Sequence, residues 1–398
     1  MADPADTQGT SGQSKTAIWN DPTFRSITFQ VLATVAVVWF FYTIFNNTLT
    51  NMENRGITTG FAFLDNTSGF GILMSLIEYD ETHTYGDTFV VGLLNTLLVS
   101  VVGIFFATIL GFVIGVARLS RNWLISKLAA VYVETLRNIP LLLQIFFWYF
   151  AVLQSLPHPR DSYNFSDSFF LNARGLYLPA PIPESGFGVV LALFFAGIAG
   201  AIALARWSHK RQMATGQQFP VFWSSLGLII GIPLLAFLVL GTPMNLDYPA
   251  LKGFNFRGGI TVIPEFIALL WALSMYTAAF IAEIVRAGIL GVSHGQTEAA
   301  HALGLRNGPT LRLVIIPQAM RIIIPPLTSQ YLNLLKNSSL ATAIGYPDLV
   351  GVFMGTTLNQ TGQAVEIVAM TMAVYLTFSL LISAFMNWFN RRMALVER

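Results

Sequence analysis

Ionisable residues are scarce in this sequence, and two pairs of them sit inside apolar stretches. Glu134 and Arg137 stand three residues apart, as do Glu283 and Arg286. On a helix, residues at i and i+3 share a face, so each pair can neutralise itself. An unpaired ionisable group at the centre of a bilayer-spanning helix costs roughly 2.5–3.5 kcal/mol on insertion scales. Each pair lies near one end of its stretch, where an arginine can snorkel to the surface. Structural ion pairs are one reading; charges on a transport pathway or at a subunit interface are the other. Pro140 removes a helix hydrogen bond and predicts a kink or break. Gln144, one turn on, could then face a cavity. Lys336, Asn337 and Ser338, followed by Gly345, Pro347 and Gly351, form a second polar, breaker-rich patch. It is either an outer loop or a non-helical segment lining a pathway, where irregular backbone is tolerated at membrane depth. Lys336 could attract a substrate carboxylate there. Glu265 and Glu366 lie near the other ends of their stretches and are expected to be wetted.

Other chemistry is missing. Lys15, Lys127, Lys210, Lys252 and Lys336 follow Ser, Ser, His, Leu and Leu, so no Gly-Lys-Ser/Thr exists to cradle a nucleotide. The five histidines show no metal-ligand spacing and no HExxH, and there is no cysteine for a thiolate site or nucleophile. Nothing argues for an enzyme, so uphill work would need an ion gradient or another subunit. Hydrophobic residues make up 54% of the 398 and charged residues 11%, against about 25% charge in soluble domains. That excludes an ordinary soluble protein and a disordered one. A net charge of +2 gives no sign of a nucleic-acid binder.

The elements that must position these residues are membrane spans of about 20 apolar residues each. The chain is read as an all-α polytopic membrane protein with about eight spans, at 27–45, 89–116, 128–156, 189–205, 221–240, 266–284, 315–335 and 367–385. The seventh is the weakest, because it holds Arg321, Pro317, Pro325 and Pro326, and the proline pair should bend it. Most Lys and Arg fall in inner segments if both termini are cytoplasmic, among them Arg118, Arg121, Lys127, Arg206, Lys210, Arg211, Arg306 and Arg312. The first outer loop is acidic. Five segments follow: a disordered cytoplasmic tail at 1–26, a span and outer loop at 27–88, a first core part at 89–156, an inserted two-span module at 157–260, and a second core part at 261–398. The module is expected on the outside of the bundle. Gly111-x-x-x-Gly115 and Gly227-x-x-x-Gly231 allow close helix approach and are read as packing.

The inner loop at 293–312 is the most informative segment. Ser293 and Gln296 have capping-box spacing, Gly304 suits a left-handed helix terminus, and Gly308-Pro309 is expected to break the chain before the next span. A two-turn helix results, with Glu298 near its start and Ala299, Ala300 and Ala302 along it. It is too small to form a core, so it either sits in a cleft of another protein or is an incidental interfacial helix.

Glu298-Ala299-Ala300, Gly304 and then Val314-Ile315-Ile316-Pro317 resemble the EAA loop of ABC importer permeases, with Val314 and Ile316 as mild departures. The stretches 134–144, 276–288 and 335–340 resemble the polar amino-acid branch of that family. The extra N-terminal span and the insertion are similar to the larger permease of the general L-amino-acid, or glutamate/glutamine/aspartate/asparagine, systems. The resemblance implies a type I importer core in the cell inner membrane and a second permease subunit, usually a different one. It also implies two cytoplasmic ATPase subunits carrying ATP and Mg, and a periplasmic amino-acid-binding protein. Glu298, Ala299, Ala300, Gly304 and Pro317 become the ATPase-coupling element; Glu134, Arg137, Pro140, Gln144, Lys336, Asn337 and Ser338 are the pathway or gating candidates. No cofactor, metal or nucleic acid is expected on this chain. An ion-gradient-driven amino-acid transporter, or a channel or assembly protein, is the alternative. The first would need inverted repeats and paired broken spans, neither of which is found, and leaves the EAA spacing unexplained; the second would need no ATPase partner.

Overall fold

The computed structural model describes residues 22–393 except 55, 57 and 58. Most of the tail read at 1–26 lies outside the described residues, but 22–26 are already helical. Helix α1 spans Pro22–Asn54. It exposes apolar side chains all round, as a single span surrounded by lipid would. An irregular stretch then leads to Thr84. There Asp80 is held at a pKa of about 2, first by the Thr82 side-chain hydrogen bond and then by the Thr82 backbone N–H.

Helix α2 covers Tyr85–Ala117 and opens on a complete capping box, Thr84 with Asp87. Its buried face carries small residues at four-residue intervals, among them Gly103, Ala107, Gly111 and Gly115. Helices α3 (Trp123–Asn138) and α4 (Leu141–Phe146) meet at 107° across Pro140, and a π-helical stretch, Phe147–Leu153, extends α4. The span read at 128–156 is therefore a bent pair; among the described residues seven continuous helices are long and apolar enough to cross a membrane, or eight with the pair counted as one span. Pro140 and the extended Ile139 before it produce the break.

The inserted module contains strands that an all-α reading leaves out. β1 (Tyr163–Phe165), β2 (Phe169–Asn172), β3 (Gly175–Leu178) and β4 (Ala180–Pro183) precede helix α5 (Phe187–Thr215). Helices α6 (Val221–Leu226) and α7 (Ile232–Val239) form one span through a π-helical turn. β5 (Met244–Asp247), β6 (Ala250–Lys252), β7 (Asn255–Arg257) and β8 (Ile260–Val262) follow. The strands pair antiparallel in the orders β1-β2-β3-β8, β4-β5 and β6-β7. With three or four residues each, they are too short to show a period of two in the sequence. Phe170 and Tyr177 pack tilted against the Phe256 ring as their core, at 4.5 and 4.8 Å between ring centroids.

Helix α8 (Pro264–Leu290) is the centre of the bundle. Helices α9 (His294–Ala302) and α10 (Asn307–Thr310) then lead through a π-helical turn into α11 (Ile316–Asn337). Gly308-Pro309 does not break the chain as expected. It lies in the first turn of α10, where a missing N–H costs nothing. Pro325 and Pro326 likewise sit inside a helix that runs on past them. After α11 come a 3-10 turn, Ser338–Ile344, a π-helical stretch, Val350–Thr357, α12 (Leu358–Thr361) and α13 (Ala364–Met393). A Cβ on Gly111 would lie 2.5 Å from Ile281, and one on Gly115 would lie 2.7 Å from the Ala282 carbonyl oxygen, so only glycine lets α2 and α8 approach this closely. Gly227 and Gly231, read as a second such pair, have nothing within 4 Å. Gly197 on α5 makes the module's close approach instead, against the Leu228 backbone.

Candidate functional site

At one end of the bundle α9 stands out from the core. Ala300 alone on it is buried, whereas Glu298, Ala299, His301 and Ala302 are exposed and Leu303 is 82% exposed. Gly304 closes the helix in the left-handed region at φ +78°, and the Leu305 N–H reaches back to the Ala300 carbonyl at 3.1 Å. The Ser293 side chain makes no cap bond, so the expected capping box is not formed. The Gln296 side chain turns instead to α11 and accepts from Gln318 at 3.1 Å. That bond ties the helix to the next span. Glu298 lies in hydrogen-bond reach of the His294 ring one turn away, at 3.0 Å, and accepts from it when Nδ1 carries the proton, on an open surface where such a pair adds little. Gly291, Ser293 and Gly295 carry the Gly-x-Ser-x-Gly spacing of a nucleophile elbow. That motif works at a strand-to-helix turn; here it joins two helices.

Pro317 lies at the entry to α11 and has no N–H to continue the ladder. The chain passes it through the π-helical turn 311–315, where the Ile316 N–H bonds the Leu311 carbonyl. One continuous rod therefore runs from the α9 loop to Ser338.

Behind α9 lies a three-helix ion cluster that pairwise spacing does not reveal. Glu283 binds Arg286 at 2.5 and 3.1 Å and is also bonded by Arg118 at the end of α2. Arg118 lies 3.9 Å from Glu134 on α3. Glu134 and Arg137 thus form no pair with each other. Glu134 instead meets Arg118 across the α2–α3 turn, and Arg137 sits over the Phe280 ring at 5.0 Å. Gln144 does not face a cavity. It is 5% exposed and donates to the carbonyls of Leu136 and Ile139, at 2.9 and 3.0 Å. Those carbonyls belong to the last turn of α3 and the break itself, where no intrahelical donor remains.

At the opposite end, Lys336 is exposed and Ser338 is fully buried, its hydroxyl donating to the Leu335 carbonyl at 2.7 Å. The irregular stretch after it is pegged to α2. Asn95 donates to the carbonyls of Pro347 and Met74, both at 2.9 Å, and Thr96 accepts from the Leu349 N–H at 3.0 Å. Asp348 is wholly buried and accepts from the Gly351 N–H at 2.8 Å. Asn95, Thr96 and Asp348 were not among the residues the sequence singled out; a polar Asn-Thr pair inside an apolar span was the available signal. Glu366 is not wetted. It is 7% exposed and accepts from the Gly60 N–H at 2.7 Å. Glu265 is half-buried and accepts from the Tyr149 hydroxyl at 2.8 Å.

Residues 103–395, most of this helical bundle, match the family described as binding-protein-dependent transport system inner membrane component. The chain belongs to that family. It is 58% identical to the putative amino-acid ABC transporter permease protein YhdX of Escherichia coli over 95% of this chain and 96% of that one. It is 55% identical to the general L-amino acid transport system permease protein AapQ of Rhizobium johnstonii, over 98% and 97%. It is 44% identical to the glutamate/glutamine/aspartate/asparagine transport system permease protein BztB of Rhodobacter capsulatus, over 95% and 96%. These lengths agree, so the strand-bearing module and the N-terminal span belong to what is shared. The chain is an integral inner-membrane component of a transport system, mostly helical.

Proposed function

We propose that this chain is the permease subunit of an ATP-driven importer of polar L-amino acids, such as glutamate, glutamine, aspartate and asparagine. It forms the translocation pathway with a second, different permease around a type I importer core. Two cytoplasmic ATPase subunits, which carry ATP and Mg, dock on α9, and a periplasmic amino-acid-binding protein delivers the substrate. Both termini are cytoplasmic, which puts α9 inside and the strands outside, in agreement with the basic inner segments.

The observation that carries this reading is α9: a short helix standing clear of the core, with Glu298, Ala299, Ala302 and Leu303 on its open face. The relatives' amino-acid systems supply the substrate class. Motion of a docked ATPase would move α9, pass through the Gln296–Gln318 bond and the α10–α11 rod, and reach the segment pegged to Asn95 and Thr96. Rigid-body rocking of that kind gives alternating access.

The test is reconstitution of the chain with its partner permease, ATPases and binding protein. Glu298→Ala and Gly304→Val are each expected to lower ATP-dependent uptake more than tenfold, the second because a β-branched residue is strained at φ +78°. Uptake that ignores both substitutions, or that an ion gradient drives without ATP, would sink the reading.

A further inference from the structure

On the outer face, a cavity of about 680 Å³ lies between the strand module, the end of the bent span and the first turn of α8. It is separate from the stretch that follows α11. Arg174 and Glu265 both line it, with Gln154, His158 and Thr261. Their closeness follows from the fold. The β3–β8 register, Leu176 opposite Val262, lays the β2–β3 turn that carries Arg174 beside the entry to α8 that carries Glu265. Gly175 makes the approach possible, since a Cβ there would lie 2.4 Å from the Val262 carbonyl oxygen. Among the described residues no ion pair joins these two: Arg174 donates to the Phe254 carbonyl at 3.1 Å, and Glu265 accepts from Tyr149. Each keeps further hydrogen-bonding capacity, and both line the cavity.

We infer that this cavity binds a free α-amino acid, whose carboxylate Arg174 receives and whose ammonium Glu265 receives. A zwitterion carries both charges on one carbon, so it needs a cation and an anion a few ångströms apart that do not cancel each other. A lone anion or a lone cation would leave one of the two groups facing its own sign or nothing. The site deepens the proposed function and rests on it: it is an outer station for the transported class, built largely by the inserted module. Glu265 also links it to the membrane. An ammonium at Glu265 competes with the Tyr149 hydroxyl, and Tyr149 lies in the π-helical stretch that continues the bent span toward Pro140.

Equilibrium dialysis of the purified full chain with radiolabelled L-glutamine, L-glutamate, L-arginine and L-alanine tests the assignment. Saturable binding of at least one is expected, weakened tenfold or more in Arg174→Gln and in Glu265→Gln. The same amino acid N-acetylated, or decarboxylated, is expected to compete at least tenfold more weakly; this arm uses the unaltered protein and does not depend on how the variants fold. No saturable binding, binding that both variants leave unchanged, or full competition by the N-acetyl form would overturn it. Import by the assembled transporter is measured separately. If import of amino acids proceeds while the dialysis fails, only the cavity's role is lost. If the assembled transporter imports no amino acid, the proposed function and the site built on it both fall.

Discussion

The core and the inserted module are made from helices of similar length and apolarity, yet they are held in different ways. In the most apolar stretch of α8, 56% of residues are buried; in α5 the figure is 11%, and in the α6–α7 span 6%. The core places glycines of α2 against the α8 backbone and adds polar pegs, Asn95, Thr96 and Gln144, each bonded to a carbonyl or N–H elsewhere in the chain. The module's two spans meet chiefly each other, through Gly197, and its strands meet the core where β3 and β8 run into α8. Hydropathy is therefore a poor guide to importance in a membrane chain. Lipid is as apolar as leucine, so small residues and satisfied polar groups, not apolar ones, distinguish an inner helix from an outer one.

Crowding the two helix contacts breaks or sharpens that contrast most strongly. Gly111→Leu drives a side chain into Ile281; overpacking of this kind costs about 1–3 kcal/mol or more, and the variant is expected to lose monodisperse protein on size exclusion in detergent. Gly197→Leu is as crowded locally, against the Leu228 carbonyl, but should leave a folded core with a lower melting temperature. Equal loss of protein in both would erase the distinction. Gln144→Leu comes next. It strips two carbonyls of their donor, worth about 1–3 kcal/mol, and a thermal melt should show a shift that Gln154→Leu, on the exposed side, does not. The smallest effect is expected at Asp80. Its pKa is lowered, so the stability it gives the outer loop is present above its ordinary value of 3.8 and is lost as pH falls through about 2. Asp80→Asn should lower the hydrogen-exchange protection of amides around 78–84 at pH 8, and unchanged protection there would contradict the assignment.

The spans, the break at Pro140 and the left-handed Gly304 were legible because each depends on nearby residues: run length, a missing N–H, a missing Cβ. The ion partners were not. Spacing brought Glu283 and Arg286 together but suggested Glu134 with Arg137, and only the packing of α3 beside the end of α2 gives Glu134 to Arg118. Gln144 looked like a cavity residue because its partners, the Leu136 and Ile139 carbonyls, become orphaned only once the helix has broken. Glu366 looked wetted because Gly60 lies 306 positions away in the chain.

By itself the sequence determined that this chain lives in a membrane, which stretches are apolar enough to cross it, and that a short helix between two of them resembles a docking element. Those properties follow from composition and local chemistry, which a chain carries before it folds. Tertiary structure alone decided which charges meet, that the insertion carries strands, and that Arg174 and Glu265 share one cavity. Each of these depends on contacts between distant residues, and no local period encodes them.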